Sequence, residues 1–151
     1  MSAAIIDFLD LVLCGLLVGA MWGAWLMLRP ARLDAPTYVL VQQNAIRALN
    51  DILPALGALT ILITLAASLA REDRTRRIIL IVAGASLAAA GIITRFSNQP
   101  INAIVMTWAS DSPPADWTLL RDRWWYWHVV RLAFALTAFF LIIGAVLRAG
   151  A

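Results

Sequence analysis

The chain has 151 residues, of which 62% are apolar and 14% charged, with a formal net charge of +3. Soluble domains run at about 45–50% apolar and about 25% charged. A cytosolic enzyme, a disulfide-stapled secreted domain and a disordered regulator are therefore excluded, and a polytopic membrane protein is expected.

Crossing about 30 Å of hydrocarbon takes roughly 20 apolar residues of helix. Four uncharged runs are of that order: residues 11–28 between Asp10 and Arg29, 52–70 between Asp51 and Arg71, 78–94 between Arg77 and Arg95, and 132–147 between Arg131 and Arg148. They predict an all-α fold, an antiparallel four-transmembrane-helix bundle forming a single domain, with helices at about 5–28, 45–70, 77–98 and 117–148. The first run is not read as a cleaved signal peptide, because Asp7 and Asp10 precede it without a basic residue and it exceeds a typical signal-peptide apolar region. Gly15, Gly19, Ala20 and Gly23 recur three or four apart in the first span, and Gly84, Ala88 and Gly91 do so in the third. That spacing predicts close helix packing. Pro54, in the first turn of the apolar part of the second span, marks a helix start or a kink.

The connections are unequal. The tight turn 71–77 holds four arginines in seven residues. The first connection, 29–49, spreads three arginines over a longer stretch, and the third, 95–125, sets three against Asp111, Asp116 and Asp122. Positive-inside counting places the short turn and both termini in the cytoplasm. Antiparallel threading then gathers the polar helix ends on the opposite face. Asn44, Arg47, Asn50 and Asp51 open the second helix; Arg95, Asn98 and Asn102 close the third; Trp22 and Trp25 close the first.

The fourth helix carries a stripe. Trp117, Arg121, Trp124, His128 and Arg131 are spaced four, three, four, three, one helical face over four turns, with Ser112 or Asp116 as the candidate cap. Trp125, Tyr126 and Trp127 suit an interfacial aromatic belt. Arg131, about a turn inside the boundary, is costly unless paired, hydrated or used. Two guanidiniums flanking His128 favour its neutral imidazole, which can act as a base. Asp51 is the alternative partner for Arg131, in a purely structural network.

The run N-x-P-x-N at Asn98, Pro100 and Asn102, then Trp108, P-x-x-W at Pro114 and Trp117, R-x-x-W at Arg121 and Trp124, and H-x-x-R at His128 and Arg131 resembles the anthrone oxygenase-like family of small four-helix membrane proteins. Physically, Pro100 is expected to stop the third helix, leaving the two carboxamides to satisfy freed backbone groups or face a ligand. The resemblance implies oxidation by O₂ of an anthrone to the quinone. On that footing His128 is the base, Arg131 or Arg121 stabilises the enolate, and Trp124 and Trp108 stack the flat substrate. Asn98, Asn102, Trp117, Asn44 and Asp51 complete the expected binding set, around a cavity at the outer helix ends, with Trp108 and Trp117 alternatively structural, as lids or walls packing the third connection over the bundle.

Cys14, the lone cysteine, lies inside the first span and forms no intrachain disulfide; one Cys and one His do not build a zinc site. No metal and no cofactor is expected. A haem or quinone site would have one candidate axial ligand, His128. The expected partners are membrane lipids and a lipophilic aromatic small molecule, with a membrane-protein partner or a homo-oligomer as further options and no nucleic acid. The competing function is a non-catalytic accessory or scaffold subunit whose Trp-rich stripe docks another membrane protein.

Overall fold

In the computed structural model, which describes residues 3–29 and 33–148, the chain folds into helices alone. They are α1 (Ala3–Met27), α2 (Ala35–Leu49), α3 (Ile52–Leu69), α4 (Arg74–Ile93), a π-helical turn (Thr94–Asn98), α5 (Gln99–Val105) and α6 (Trp117–Leu147). Four helical stretches are long and apolar enough to cross a membrane: α1, α3, the continuous run Arg74–Val105, and α6. The protein is a multi-pass membrane protein. Arg32, counted in the first connection, lies outside the described residues.

The spans pack in a ring, with α1 and α4 each lying between α3 and α6. Small residues permit the close approach. Ala83, Ala135, Ala138 and Ala145 are fully buried in the core beside Cys14, Leu80 and Ile142. Gly84 is pressed against α3, since a Cβ there would lie 3.1 Å from Leu65 Cδ2. The other expected contacts are looser: Gly15 faces Phe139 at ordinary distance, and Gly19, Gly23 and Gly91 have open space where a side chain would stand.

At one end, Asp7 near the start of α1 pairs with Arg71 and, at 3.4 Å, with Arg76. Arg71 also donates to Ala3 O at 3.2 Å. Arg148, just beyond α6, lies 3.6 Å from Asp73. The arginine-rich turn is thus tied to both α1 and the far end of α6. Asp10 departs from its expected place as a flank of the first span. It is inside the bundle, 1% exposed, accepting a 2.7 Å hydrogen bond from the Thr64 hydroxyl of α3.

Two further differences concern the helices that frame the opposite end. The helix expected at 45–70 is two helices, parted at Asn50 and Asp51. Its first part, α2, begins at an Asp34 cap, whose carboxylate accepts from Thr37 N at 2.8 Å and is thereby held below its ordinary pKa, with Pro36 in the first turn. Its inward face, Tyr38, Val39, Gln42, Gln43 and Ile46, follows helical spacing but is half polar. In α3, Pro54 occupies the first turn, the helix-start option.

Pro100, expected to stop the third helix, sits in the first turn of α5, and the helix runs on to Val105. A regular α-helix would ask Pro100 for the N–H it lacks and crowd its ring against the carbonyl four residues back. The π-helical turn removes both demands: Gln99 N bonds to Thr94 O, five residues back. The helix continues past the proline with one residue of extra register.

Candidate functional site

The inner half of the α6 stripe converges with the π-turn, α5 and the end of α1. His128 is fully buried. Its Nε2 lies 3.1 Å from Met21 O, and its Nδ1 is met by Arg131 Nε at 3.2 Å and Nη2 at 2.9 Å. A carbonyl only accepts and a guanidinium only donates, so these partners select the neutral Nε2–H tautomer. Arg131 Nη1 donates to Thr94 Oγ1 at 3.1 Å, and Thr94 in turn donates to Ala90 O at 2.9 Å. Three of the guanidinium's N–H groups are used, which leaves one on each Nη for a ligand. Arg131 has no carboxylate partner among the described residues.

The N-x-P-x-N carboxamides both close on Trp124. Asn98 donates from Nδ2 to Trp124 O at 3.0 Å, and Asn102 Oδ1 accepts from the indole N–H at 2.8 Å. Asn102 Nδ2 then donates to Asn50 Oδ1 at 3.0 Å, tying α5 to the joint between α2 and α3. Trp124, 5% exposed, lies flat on the His128 ring, with centroids 4.9 Å apart and planes 4° from parallel. The Arg131 guanidinium stands 5.7 Å from the Trp124 ring centroid. An aromatic so held fixes the imidazole plane rather than offering an open face to a substrate.

Two cavities adjoin here. The larger, about 220 Å³, runs between α1, α3 and α4; its walls include Leu17, Leu53, Gly57, Ala58, Ile61, Leu87, Ala90 and Gly91, and its polar end is formed by Thr94, Arg95, Gln99 and Arg131. It exists because small residues face each other there, Gly57 and Ala58 of α3 against Ala90 and Gly91 of α4. The smaller, about 50 Å³, is lined by Gln42, Asn50, Asn102, Trp124, His128 and Arg131 together with apolar groups of α1, α2 and α3. Met21, Leu53, Pro54, Thr94 and Arg131 border both, so Arg131 stands at the junction.

Of the residues expected in the site, Asn102, Trp124, His128 and Arg131 line the smaller cavity, and Asn98 is clamped behind Trp124. Asn44 and Asp51 are exposed and line neither cavity. The α2–α3 break turns Asp51 outward, so it forms no pair with Arg131; Asn50 points inward in its place. Arg121 binds its neighbour Asp122 at 2.8 Å and lies 4.7 Å over Trp117, which packs on Tyr38. The stripe is therefore divided: Trp117 packs on α2 and Arg121 on Trp117, and neither lines a cavity. Trp108 packs with Ile46, Val105 and Trp124 in a separate apolar cluster.

Four contributors were not singled out from the sequence. Thr94 orients Arg131, the Met21 carbonyl selects the His128 tautomer, and Gln42 lines the smaller cavity. Gln43 Nε2 donates to Val105 O at 3.0 Å and Trp108 O at 2.9 Å, closing the carbonyl end of α5. The adjacent Gln42 and Gln43 in an otherwise apolar helix face were the available signal for the two glutamines.

No curated protein and no solved structure matches the chain. The sequence model described as anthrone oxygenase matches residues 43–141, which take in the second half of α2 from Gln43, all of α3, α4 and α5, and most of α6. Over two thirds of the helices that build the cavities fall in that stretch, and by this match the chain belongs to the anthrone oxygenase family.

Proposed function

We propose that this protein is a membrane oxygenase that oxidises a lipophilic aromatic of the anthrone class with O₂, the substrate rings lying in the larger cleft and the substrate oxygen at Arg131. The observation that carries the reading is Arg131 itself: a guanidinium without a carboxylate partner among the described residues, oriented by His128 and Thr94, at the polar end of an otherwise apolar cleft inside a membrane bundle. A guanidinium inside the membrane is costly unless paired, hydrated or used, and an anion forming beside it would be such a use.

An anthrone has one methylene flanked by two aromatic rings, and loss of its proton makes the central ring aromatic, with the charge on the oxygen opposite. The two remaining Nη N–H groups of Arg131 hold that oxyanion, the electrostatic stabilisation that commonly dominates such steps. As the guanidinium turns to the developing charge it leaves His128 Nδ1, the acceptor it had occupied, and the freed nitrogen takes the proton through water, since His128 lines the smaller cavity and not the cleft that holds the rings. The imidazolium keeps its Nε2–H on Met21 O. The carbanion gives an electron to O₂, the resulting radical pair forms a carbon–oxygen bond, and the peroxide anion takes the proton back from the imidazolium, yielding a hydroperoxide at the former methylene. Loss of the second C–H proton with cleavage of the O–O bond gives the quinone carbonyl. One oxygen atom stays in the quinone; the other leaves with both methylene hydrogens as water.

The reading includes an orientation in a bacterial inner membrane with the turn 71–77 and both termini in the cytoplasm, supported by the arginine density of that turn. The test is oxygen uptake by purified protein with anthrone, wild type against Arg131→Lys. Lysine keeps the charge but loses the planar fork that meets His128, Thr94 and the substrate oxygen together. Its turnover should fall roughly 10²–10³-fold, as for loss of an oxyanion donor. If wild type shows no uptake above the spontaneous rate, the oxygenase reading fails and the accessory-subunit reading takes its place.

A further inference from the structure

We propose that the smaller cavity is a subsite for a hydroxyl substituent of the ligand, and that Gln42 is the residue that recognises it. This rests on the oxygenase reading above and adds a specificity-determining residue to it. Gln42 is fully buried on the inward face of α2, lines the cavity, and among the described residues has no hydrogen-bond partner for either Nε2 or Oε1. The polar side chains around it are committed elsewhere: the Trp124 indole to Asn102, Asn102 to Asn50, and both ring nitrogens of His128 to Met21 and Arg131. Apart from the Arg131 N–H groups, which the substrate oxygen takes in the reading above, Gln42 is the fully buried lining residue that brings both an unpartnered donor and an unpartnered acceptor to this cavity.

The volume limits what can meet it. About 50 Å³ is too small for an aromatic ring, while a water-sized group needs about 10–15 Å³. A substituent reaching in from the larger cleft past Arg131 fits, because the two cavities share that border. A carboxamide offers a donor and an acceptor side by side, and a hydroxyl is the small group that uses both, giving its proton to Oε1 and accepting from Nε2. A carboxylate would oppose Oε1, and a bare carbonyl would leave Oε1 unused. The position of Gln42 is fixed in advance, since its neighbour Gln43 anchors α2 to Val105 O and Trp108 O.

The test compares anthrone with its 1-, 2- and 3-hydroxy derivatives, binding read by quenching of tryptophan fluorescence in detergent, for wild type, Gln42→Leu and Gln42→Met. At least one hydroxyanthrone should bind wild type about tenfold tighter than anthrone, the scale of one added hydrogen bond. Both variants should lose that preference while binding anthrone as wild type does. Their ligand-free melting temperatures should rise or hold, because an apolar group of similar size replaces an unpartnered amide; an amide with a structural role would give a fall. Equal binding of all four compounds by wild type, equal weakening of all four by the variants, or a lowered ligand-free melting temperature overturns the Gln42 subsite and leaves the oxygenase reading standing. Failure of wild type to bind any of them overturns both.

Discussion

Arg131 and His128 hold each other in a fixed state: two guanidinium N–H groups, at 3.2 and 2.9 Å, converge on Nδ1 of the imidazole. The histidine's acceptor is thereby masked until something draws the arginine away. A ligand oxygen that develops negative charge does that, so the base and the oxyanion donor of the proposed reaction are released by one event.

Replacement of His128 separates its two roles. Gln at 128 is of similar polarity and can still donate toward Met21 O, so His128→Gln should keep the fold and ligand affinity while lowering turnover roughly 10²–10⁴-fold, the range for loss of a general base. Oxygen uptake per folded molecule, with the melting temperature in detergent, checks this. A sharp drop in melting temperature with unchanged specific activity would make the histidine structural.

The spans were legible because hydrocarbon imposes a length and an absence of charge, and the runs between Asp51 and Arg71 or Arg131 and Arg148 carry both signals. α2 was not, because its buried face alternates Val39 and Ile46 with Gln42 and Gln43 and so gives a weak apolar period. The four-three stripe placed Trp124, His128 and Arg131 on one face, which is a local property of a helix. What the N-x-P-x-N carboxamides bind is a tertiary matter, decided by how the π-turn swings Asn98 and Asn102 toward α6, and no spacing within the motif encodes it. Asp10 reads as a flank because the uncharged run 11–28 begins directly after it; its partner Thr64 is 54 residues away.

Two glycines on α4 should respond oppositely to enlargement. Gly91 has open space and lines the larger cleft, whereas Gly84 already meets Leu65 closely. Gly91→Leu should abolish anthrone binding with little change in melting temperature. Gly84→Leu should destabilise the protein by about 1–3 kcal/mol through overpacking. Binding by fluorescence and unfolding in detergent, measured on both variants, distinguish cleft from packing contact. Retained binding by Gly91→Leu would mean the ligand lies elsewhere.

The Asp10–Thr64 pair should behave as a coupled unit. Thr64→Val removes the hydrogen bond while leaving the carboxyl buried between α1 and α3, at a cost of about 1–3 kcal/mol. Replacing both partners, as Asp10→Leu with Thr64→Val, should recover much of that loss, because no polar group is then left stranded. Additive losses in a double-mutant cycle would show that the two side chains do not act together.

Orientation is open to a direct labelling experiment. Thr75 and Ser112 are both exposed, and Cys14 is buried and so gives little background. Arginine density favours a cytoplasmic turn at 71–77, even though Asp7 neutralises part of the charge on Arg71 and Arg76, since acidic residues contribute little to the rule. A membrane-impermeant thiol reagent added to intact cells should therefore modify Ser112→Cys and spare Thr75→Cys until the membrane is permeabilised. The opposite pattern would invert the protein, placing α2 and the α2–α3 joint on the cytoplasmic side. The cavities and their residues would be unchanged, but a ligand would then reach Arg131 from within the cell.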